Sequence, residues 1–318
     1  MSIVPEVLLA AARIKPAIRE TPCILSQTLS ERYDAEIWLK LENVQFTGSF
    51  KLRGALNRLL TLTPEQLALG VVAASSGNHG AAVAYAARAL GARADVFVPS
   101  SIAAAKRAKI EAYGARIHLI AGDPLNAEAS ARVEATRRRS TYISPYNDPM
   151  VIAGQGTIGY ELARQVPGLA GAIVAVGGGG LIAGVAAYLK HENPLIQIIG
   201  AQPERSAVMA ASVAAGRVVE LPDQPTLSDG TAGGVEEDSI TFPMCQELVD
   251  TWALVGEAQI AAGVRLLLEH EHQIAEGAAG VAVAALEQVA EQFAGRSLAV
   301  IVCGGNIAWE RVQQLMGA

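Results

Sequence analysis

Lys51 stands in the middle of QFTGSFKLRGALN, residues 45–57, where a lysine is electrostatically out of favour. Leu52, Ala55, Leu56, Leu59 and Leu60 recur at the i, i+3, i+4, i+7, i+8 spacing of an amphipathic helix, and Thr47 and Ser49 are candidate N-caps before it. Lys51 then falls in the first helical turn, where the positive end of the helix dipole disfavours a cation. Next to Phe50 and the rim of an apolar stripe, its amine is expected to have a depressed pKa, which suits a nucleophile or a general base. The plainer alternative is a surface lysine whose stem lies along apolar residues and whose head reaches water.

A second kind of chemistry-bearing pattern occurs three times. VVAASSGNHGAAVAYAA, AIVAVGGGGLIAGVAAYL and LAVIVCGGNIAWERV each read as a strand, a glycine turn and a helix. Such turns expose backbone N–H groups at a helix N-terminus, and their small residues let an anionic ligand come close. Gly178, Gly180 and Ala183, followed by Glu204, also satisfy a dinucleotide fingerprint, although Gln202 competes for the position at the strand tip. A lone match of this kind is weak, and nothing else in the chain points to hydride chemistry.

The elements that must position these residues alternate along the chain. Strand patterns cover 36–42, 70–75, 93–99, 115–120, 172–177, 196–201 and 297–304, with helical patterns at 79–90, 103–113, 126–139, 151–165, 181–190 and 257–269. This β-α alternation implies parallel sheets with helices on both faces. At 318 residues, 51% hydrophobic and 18% charged, the chain is long and apolar enough for a sizeable core in one large or two ordinary domains.

Composition also excludes classes. A net charge of −6 without a long basic run argues against nucleic acid, and Arg137, Arg138 and Arg139 read as a solvated helix face. Residues 170–189 carry no charge, but four successive glycines disfavour a membrane helix there; a buried strand, turn and helix fit better. Cys23, Cys245 and Cys303 are odd in number and widely spaced, which fits a reducing cytoplasm rather than a disulfide framework. No metal-ligand spacing occurs, and the first residues read as an amphipathic helix rather than a targeting leader.

QFTGSFKLRGALN, SSGNHG (75–80), IAGQGTIGYE (152–161), GGGG (177–180) and CGGN (303–306), taken together, resemble the fold-type II pyridoxal-phosphate enzymes. Within them the likeness is to the serine/threonine dehydratase (ammonia-lyase) and serine racemase group, and it spans nearly the whole chain. The resemblance implies an α/β fold of the tryptophan synthase β type: two domains, each with a mainly parallel twisted sheet flanked by helices. Residues 1–69 and 150–318 would form the large cofactor-binding domain, and 70–149 a smaller mobile domain inserted in it.

The same resemblance implies roles. Lys51 matches the lysine that binds pyridoxal phosphate covalently, and Phe50 the residue packed against its ring. Asn78 matches the asparagine that hydrogen-bonds the ring oxygen, and Ser75, Ser76, Gly77 and His79 the loop that receives the substrate carboxylate. Gly177, Gly178, Gly179 and Gly180, with Leu181 after them, match the phosphate cradle. Cys303 matches the residue facing the pyridine nitrogen, where a thiol makes the ring a weaker electron sink than an aspartate would. Glu276 matches a residue near the ring, with Gly277 in place of the proline usual after it.

The implied activity is elimination from a β-hydroxy-α-amino acid, threonine- or serine-like, with 3-hydroxyaspartate and phenylserine as further candidates, giving a 2-oxo acid and ammonia. Ser76 lies where racemases keep a serine opposite the lysine, so an amino-acid racemase is the second reading, and a cofactor-fold protein without turnover the third. Gln202 and Val208 replace the acidic residues with which some relatives bind a cation, so no metal is expected. Tyr146 and Asn147 border the substrate region, though turn roles explain them equally well, and Arg132 falls at the small-domain rim, where an exposed helical arginine is the commoner explanation. The resemblance further implies a homodimer or homotetramer, and no C-terminal regulatory domain is expected after CGGN.

Overall fold

The computed structural model describes residues 2–222 and 224–317. Among them are ten strands: β1 (Cys23–Leu25), β2 (Glu36–Leu41), β3 (Val71–Ala74), β4 (Ala94–Pro99), β5 (Arg116–Ile120), β6 (Thr141–Tyr142), β7 (Gly171–Ala175), β8 (Gln197–Pro203), β9 (Thr251–Val255) and β10 (Ser297–Val302). They form two sheets, ordered β1-β2-β10-β7-β8-β9 and β5-β4-β3-β6. Every pairing is parallel except β1 with β2 at one edge. The chain is thus an α/β protein of two domains, each with a mainly parallel sheet and helices packed against it.

The central strands read as continuous apolar runs because helices cover both of their faces. All five residues of β7 are buried, as are the last five of β10. Residues 170–189 become β7, a glycine turn and the start of the helix Gly180–Glu192, and no described helix is long and apolar enough to cross a membrane. That helix packs tightly on Pro149–Gln165. A Cβ at Gly184 would lie 2.3 Å from the Ile152 carbonyl, so only glycine lets the two backbones meet so closely.

In the larger sheet β7, β8 and β9 are laid out to one side, and the chain then crosses back to place β10 on the other side of β7. Such a reversal opens a crevice at the carboxyl ends of the strands, which is where ligands bind in open α/β sheets. The turns after β7 and β10 flank it.

The helix Lys51–Leu60 forms where the apolar spacing predicts, and Leu52, Ala55, Leu56 and Leu59 are buried against the core of the smaller sheet. Burial of each leucine there contributes about 2 kcal/mol. The expected caps are corrected, however. Phe50 occupies the N-cap position, no side chain caps the helix, and the Thr47 and Ser49 hydroxyls are buried without partners. Residues 48–50 are committed elsewhere: Ser49 bridges Gly304, Phe50 N–H donates to the Cys303 carbonyl at 3.0 Å, and Gly48 turns the chain at φ +76°. The turn pins the lysine helix to the end of β10 instead of capping it.

β1, β6 and β9 lie outside the strands expected from the sequence. β1 and β6 are only three and two residues long, too short for a periodic signal, and β9 alternates buried with half-exposed residues.

Candidate active site

A cavity of about 380 Å³ lies between the carboxyl ends of the two sheets. Lys51 and Phe50 reach it from the start of the lysine helix, and Ser75, Ser76, Gly77, Asn78 and His79 from the turn after β3. Gly177 to Gly180 and Leu181 line it from the turn after β7, and Cys303 and Glu276 from the far side. Every site residue expected from the sequence therefore faces one space, from Phe50 to Cys303 along the chain.

The Lys51 amine lies 5.0 Å from the Phe50 ring centre and donates to the Pro145 carbonyl at 2.8 Å. Burial lowers its pKa to about 8, against the opposing pull of Cys303 and Glu276. Desolvation thus makes a substantial fraction of this amine neutral near physiological pH. Burial also drives the Cys303 thiol well above its usual pKa, with Glu276 adding to the shift, so the side chain is an uncharged thiol.

The turn after β3 opens into the helix Asn78–Ala89 with Gly77 at its cap and no side-chain cap, so the first N–H groups stay available to an anion. The Ser75 hydroxyl accepts from Gly77 N–H at 3.1 Å and shapes the turn. A Cβ at Gly80 would lie 2.3 Å from the Ser75 carbonyl. His79 Nε2–H donates to the Ile143 carbonyl at 2.8 Å. Burial, then the Lys51 charge, lowers its pKa to about 3, so the ring is neutral with an unpaired Nδ1.

Gly179, at φ +85°, caps the helix Gly180–Glu192, again without a side-chain cap. Thr241 Oγ1 donates to the Gly178 carbonyl at 2.6 Å and holds the loop. The Tyr146 ring lies on the loop: a Cβ at Gly178 would stand 2.4 Å from it. The result is a rigid nest of backbone amides ahead of a 13-residue helix, a cradle for a phosphate.

Glu276 and its neighbours occupy the opposite wall. Asn78 Nδ2 donates to Glu276 Oε1 at 2.7 Å, and Asn306 N–H donates to Oε2 at 3.1 Å. Burial pushes the Glu276 carboxyl up to about 7, the Asn78 hydrogen bond opposing the shift. Gly277 follows because nothing larger fits: a Cβ there would lie 2.0 Å from the Leu227 carbonyl.

Residues 14–304 match the family described as pyridoxal-phosphate dependent enzyme. The chain belongs to that family. It is 38% identical over 309 residues to the L-threonine ammonia-lyase of Thermotoga maritima, covering 96% of this chain and 76% of that one. To the catabolic L-threonine dehydratase of Escherichia coli K12 it is 38% identical over 319 residues, covering 99% and 96%. Among solved structures, maize serine racemase superposes with a TM-score of 0.93 at 32% identity, covering 99% and 96% of the two chains. The chain is a fold-type II enzyme of the serine/threonine dehydratase and serine racemase group, of the ammonia-lyase type, and pyridoxal phosphate is its cofactor.

The site fits that cofactor. A buried amine of lowered pKa meets the demand of an aldehyde, and a glycine turn crowded by Tyr146 at Gly178 and Gly180 meets the demand of a phosphate. In the competing dinucleotide fingerprint the strand-tip position is filled by buried Gln202, whose amide is spent on the Val176 carbonyl at 3.1 Å and Ala210 N–H at 2.8 Å, and Glu204 is exposed in the turn beyond β8.

Several site residues lack a local sequence signal. These are Lys106 and Lys109, three apart on the helix Ala104–Ala112, which both line the cavity; Tyr146, expected at the substrate border, and Asn306, the last residue of CGGN, line it too, as does Asp229. Asn147 is a loop tie, with its amide on Glu236 and Ile240 N–H. Arg132 is an exposed helical arginine, as the plainer alternative had it, paired with Glu128 at 2.7 Å and Glu236 at 3.0 Å.

Proposed function

We propose that this enzyme eliminates water from a threonine- or serine-like β-hydroxy-α-amino acid and releases a 2-oxo acid and ammonia. The observation that carries the reading is one shared cavity holding a partly neutral Lys51 amine, the uncapped helix N-terminus at Asn78 and an uncharged Cys303. The relatives named as L-threonine ammonia-lyase and L-threonine dehydratase support the substrate class.

Pyridoxal phosphate, when bound, supplies an electron sink conjugated to the substrate's Cα. The cradle Gly177–Gly180 and the dipole of the helix behind Leu181 would hold its phosphate, Phe50 would pack on its ring and Asn78 would donate to its ring oxygen. Ser75, Ser76, Gly77 and the N–H groups at Asn78 and His79 bind the substrate carboxylate. Neutral His79 adds no charge there. Lys51, freed by the incoming amine, takes the Cα proton on Nζ. The uncharged Cys303 thiol would not stabilise a protonated pyridine nitrogen as a carboxylate would, so the β-hydroxyl would leave close to proton removal, and the proton now on Lys51 Nζ can be returned to it so that it departs as water. The released enamine takes up water to give the 2-oxo acid and ammonia.

Racemisation is the second reading, and the observation favouring it is that the half-buried Ser76 lines the same cavity as Lys51. Incubating the holoenzyme with L-serine, L-threonine, 3-hydroxyaspartate and phenylserine separates the two. Ammonia with oxo acid from at least one substrate is expected; D-isomer accumulating without oxo acid would replace the lyase by a racemase.

The same proposal includes the mobile unit 70–149, within which all four strands of the smaller sheet fall, and a cytoplasmic location. It also includes a homodimer or homotetramer, to be checked by light scattering.

A further inference from the structure

Lys109 carries only hydrogen-bond donors, and it points them at two acceptors across the cavity wall. Its amine donates to Asn306 Oδ1 and to the Thr47 carbonyl. Asn306 Nδ2 then donates to the Thr47 carbonyl at 2.9 Å and to Asn78 Oδ1 at 2.6 Å. Asn78 in turn has Nδ2 on Glu276 Oε1 at 2.7 Å. A primary amide has one acceptor end and one donor end, so each link fixes the next. With its oxygen turned to Asn306 Nδ2 and one N–H on Glu276, the Asn78 amide cannot flip, and the donor it has left is its second Nδ2–H.

We propose that Lys109 is a positioning residue which, acting through Asn306, fixes the Asn78 amide so that it offers a donor, never an acceptor, to the cofactor's ring oxygen. A half-buried ammonium without a paired carboxylate is otherwise hard to account for. Of the two acidic residues that line the cavity, Asp229 is taken by Lys106 at 2.7 Å and Glu276 acts on Lys109 only through space, and the hydrogen-bond partners of Lys109 are both uncharged. The direction of the chain is also informative. Lys109 belongs to the helix packed on the smaller sheet, whereas Thr47 and Asn306 belong to turns of the larger one. Asn78 is therefore held in its donor orientation when the two layers meet, and contact between them prepares the cofactor's oxygen site.

The inference rests on the cofactor placement at Asn78 proposed above and not on the identity of the amino acid. The test is cofactor affinity, measured by titrating apoenzyme with pyridoxal phosphate, for Lys109→Met, Lys109→Arg, Asn306→Ala, the Lys109→Met/Asn306→Ala pair and Asn78→Ala. Lys109→Met keeps the length and loses the donors, and we expect its Kd to rise about tenfold. Lys109→Arg, again donor-only, should restore binding to within about threefold, and the double variant should be no weaker than Asn306→Ala alone. An unchanged Kd for Lys109→Met overturns the inference, as do losses that multiply in the double variant, which would mean that Lys109 acts independently of Asn306. Asn78→Ala reports separately: if it binds cofactor like the unsubstituted enzyme, the placement itself is wrong.

Discussion

Arg53 and Glu161 meet through two hydrogen bonds, 2.6 and 2.8 Å long, in the interior of the molecule two residues beyond Lys51. Arg53 makes a second pair with Glu42, both bonds at 2.8 Å, and Lys40 closes the group on Glu161 at 2.5 Å and Gln165 at 2.8 Å. Burial alone would raise the Glu42 carboxyl, but the Arg53 charge and hydrogen bonds outweigh it and hold the group below its usual pKa. The cluster joins the lysine helix, the end of β2 and the helix Pro149–Gln165, so it anchors the element that carries Lys51. Removing one member of a buried ion pair leaves uncompensated charge, at a cost of about 3–5 kcal/mol. Arg53→Met should lower the thermal midpoint by roughly 6–10 °C. Arg53→Lys should recover little, because one ammonium cannot bond two carboxylates in fork geometry. A midpoint within a degree of the unsubstituted enzyme for Arg53→Met would show that the cluster is not holding this helix.

The lowered pKa of Lys51 predicts how the apoenzyme captures its cofactor. Only the neutral amine attacks an aldehyde, so the capture rate should climb with pH, reach half its maximum near pH 8 and level off about one unit higher, rather than having its midpoint near that of a free lysine. Stopped-flow absorbance of apoenzyme mixed with pyridoxal phosphate measures this directly. A rate still rising at pH 10 would mean that the amine is not desolvated as the structure has it. Lys51→Ala should lose the adduct that borohydride traps and slow turnover by at least about 10²–10⁴-fold.

Glu276 reverses the usual behaviour of a carboxylate. Its folded pKa of about 7 lies above the model-compound value of 4.5, so between those values the native apoenzyme binds more protons than the unfolded chain. Stability from this group is full below the unfolded pKa and is lost as pH rises towards 7, with a slope of up to about 1.4 kcal/mol per pH unit. Glu276→Gln should flatten that part of the stability–pH curve of the apoenzyme. An identical curve for the variant would assign the proton to another group.

The features that could be read from the chain are local ones. The spacing of Leu52, Ala55, Leu56 and Leu59 is a one-helix property, and each glycine turn couples a strand to the next helix within a few residues. The resemblance then gathered residues that spacing alone leaves scattered. What stayed illegible is set by long-range geometry. Arg53 is 108 positions from Glu161, and Lys109 is 197 from Asn306, and no periodicity encodes such pairs. The misjudged caps have the same cause: Thr47 and Ser49 suit an N-terminus locally, but the bridge from Ser49 to Gly304 decides the conformation there. Gly277 looked like a departure from a motif until the Leu227 carbonyl beside it explained why a side chain is excluded.

Gly178 and Gly180 differ in what a methyl group would strike, and that difference can be measured. At Gly178 the obstacle is the Tyr146 ring, 2.4 Å from the added Cβ; at Gly180 it includes the Tyr146 backbone, at 2.9 Å. The ring is held in place by Glu236 N–H, which donates to Tyr146 Oη at 3.0 Å. Gly178→Ala should therefore displace the ring or the loop and weaken cofactor binding about tenfold, within the range that overpacking produces. Adding Tyr146→Ala removes that obstacle and should return the Kd to within about threefold of Tyr146→Ala alone. Gly180→Ala should not be rescued in this way, because the main chain at Tyr146 stays where it is whatever its side chain. Equal rescue of both variants by Tyr146→Ala would mean that the loop yields to either methyl group, and that the cradle is softer than the contacts across it indicate.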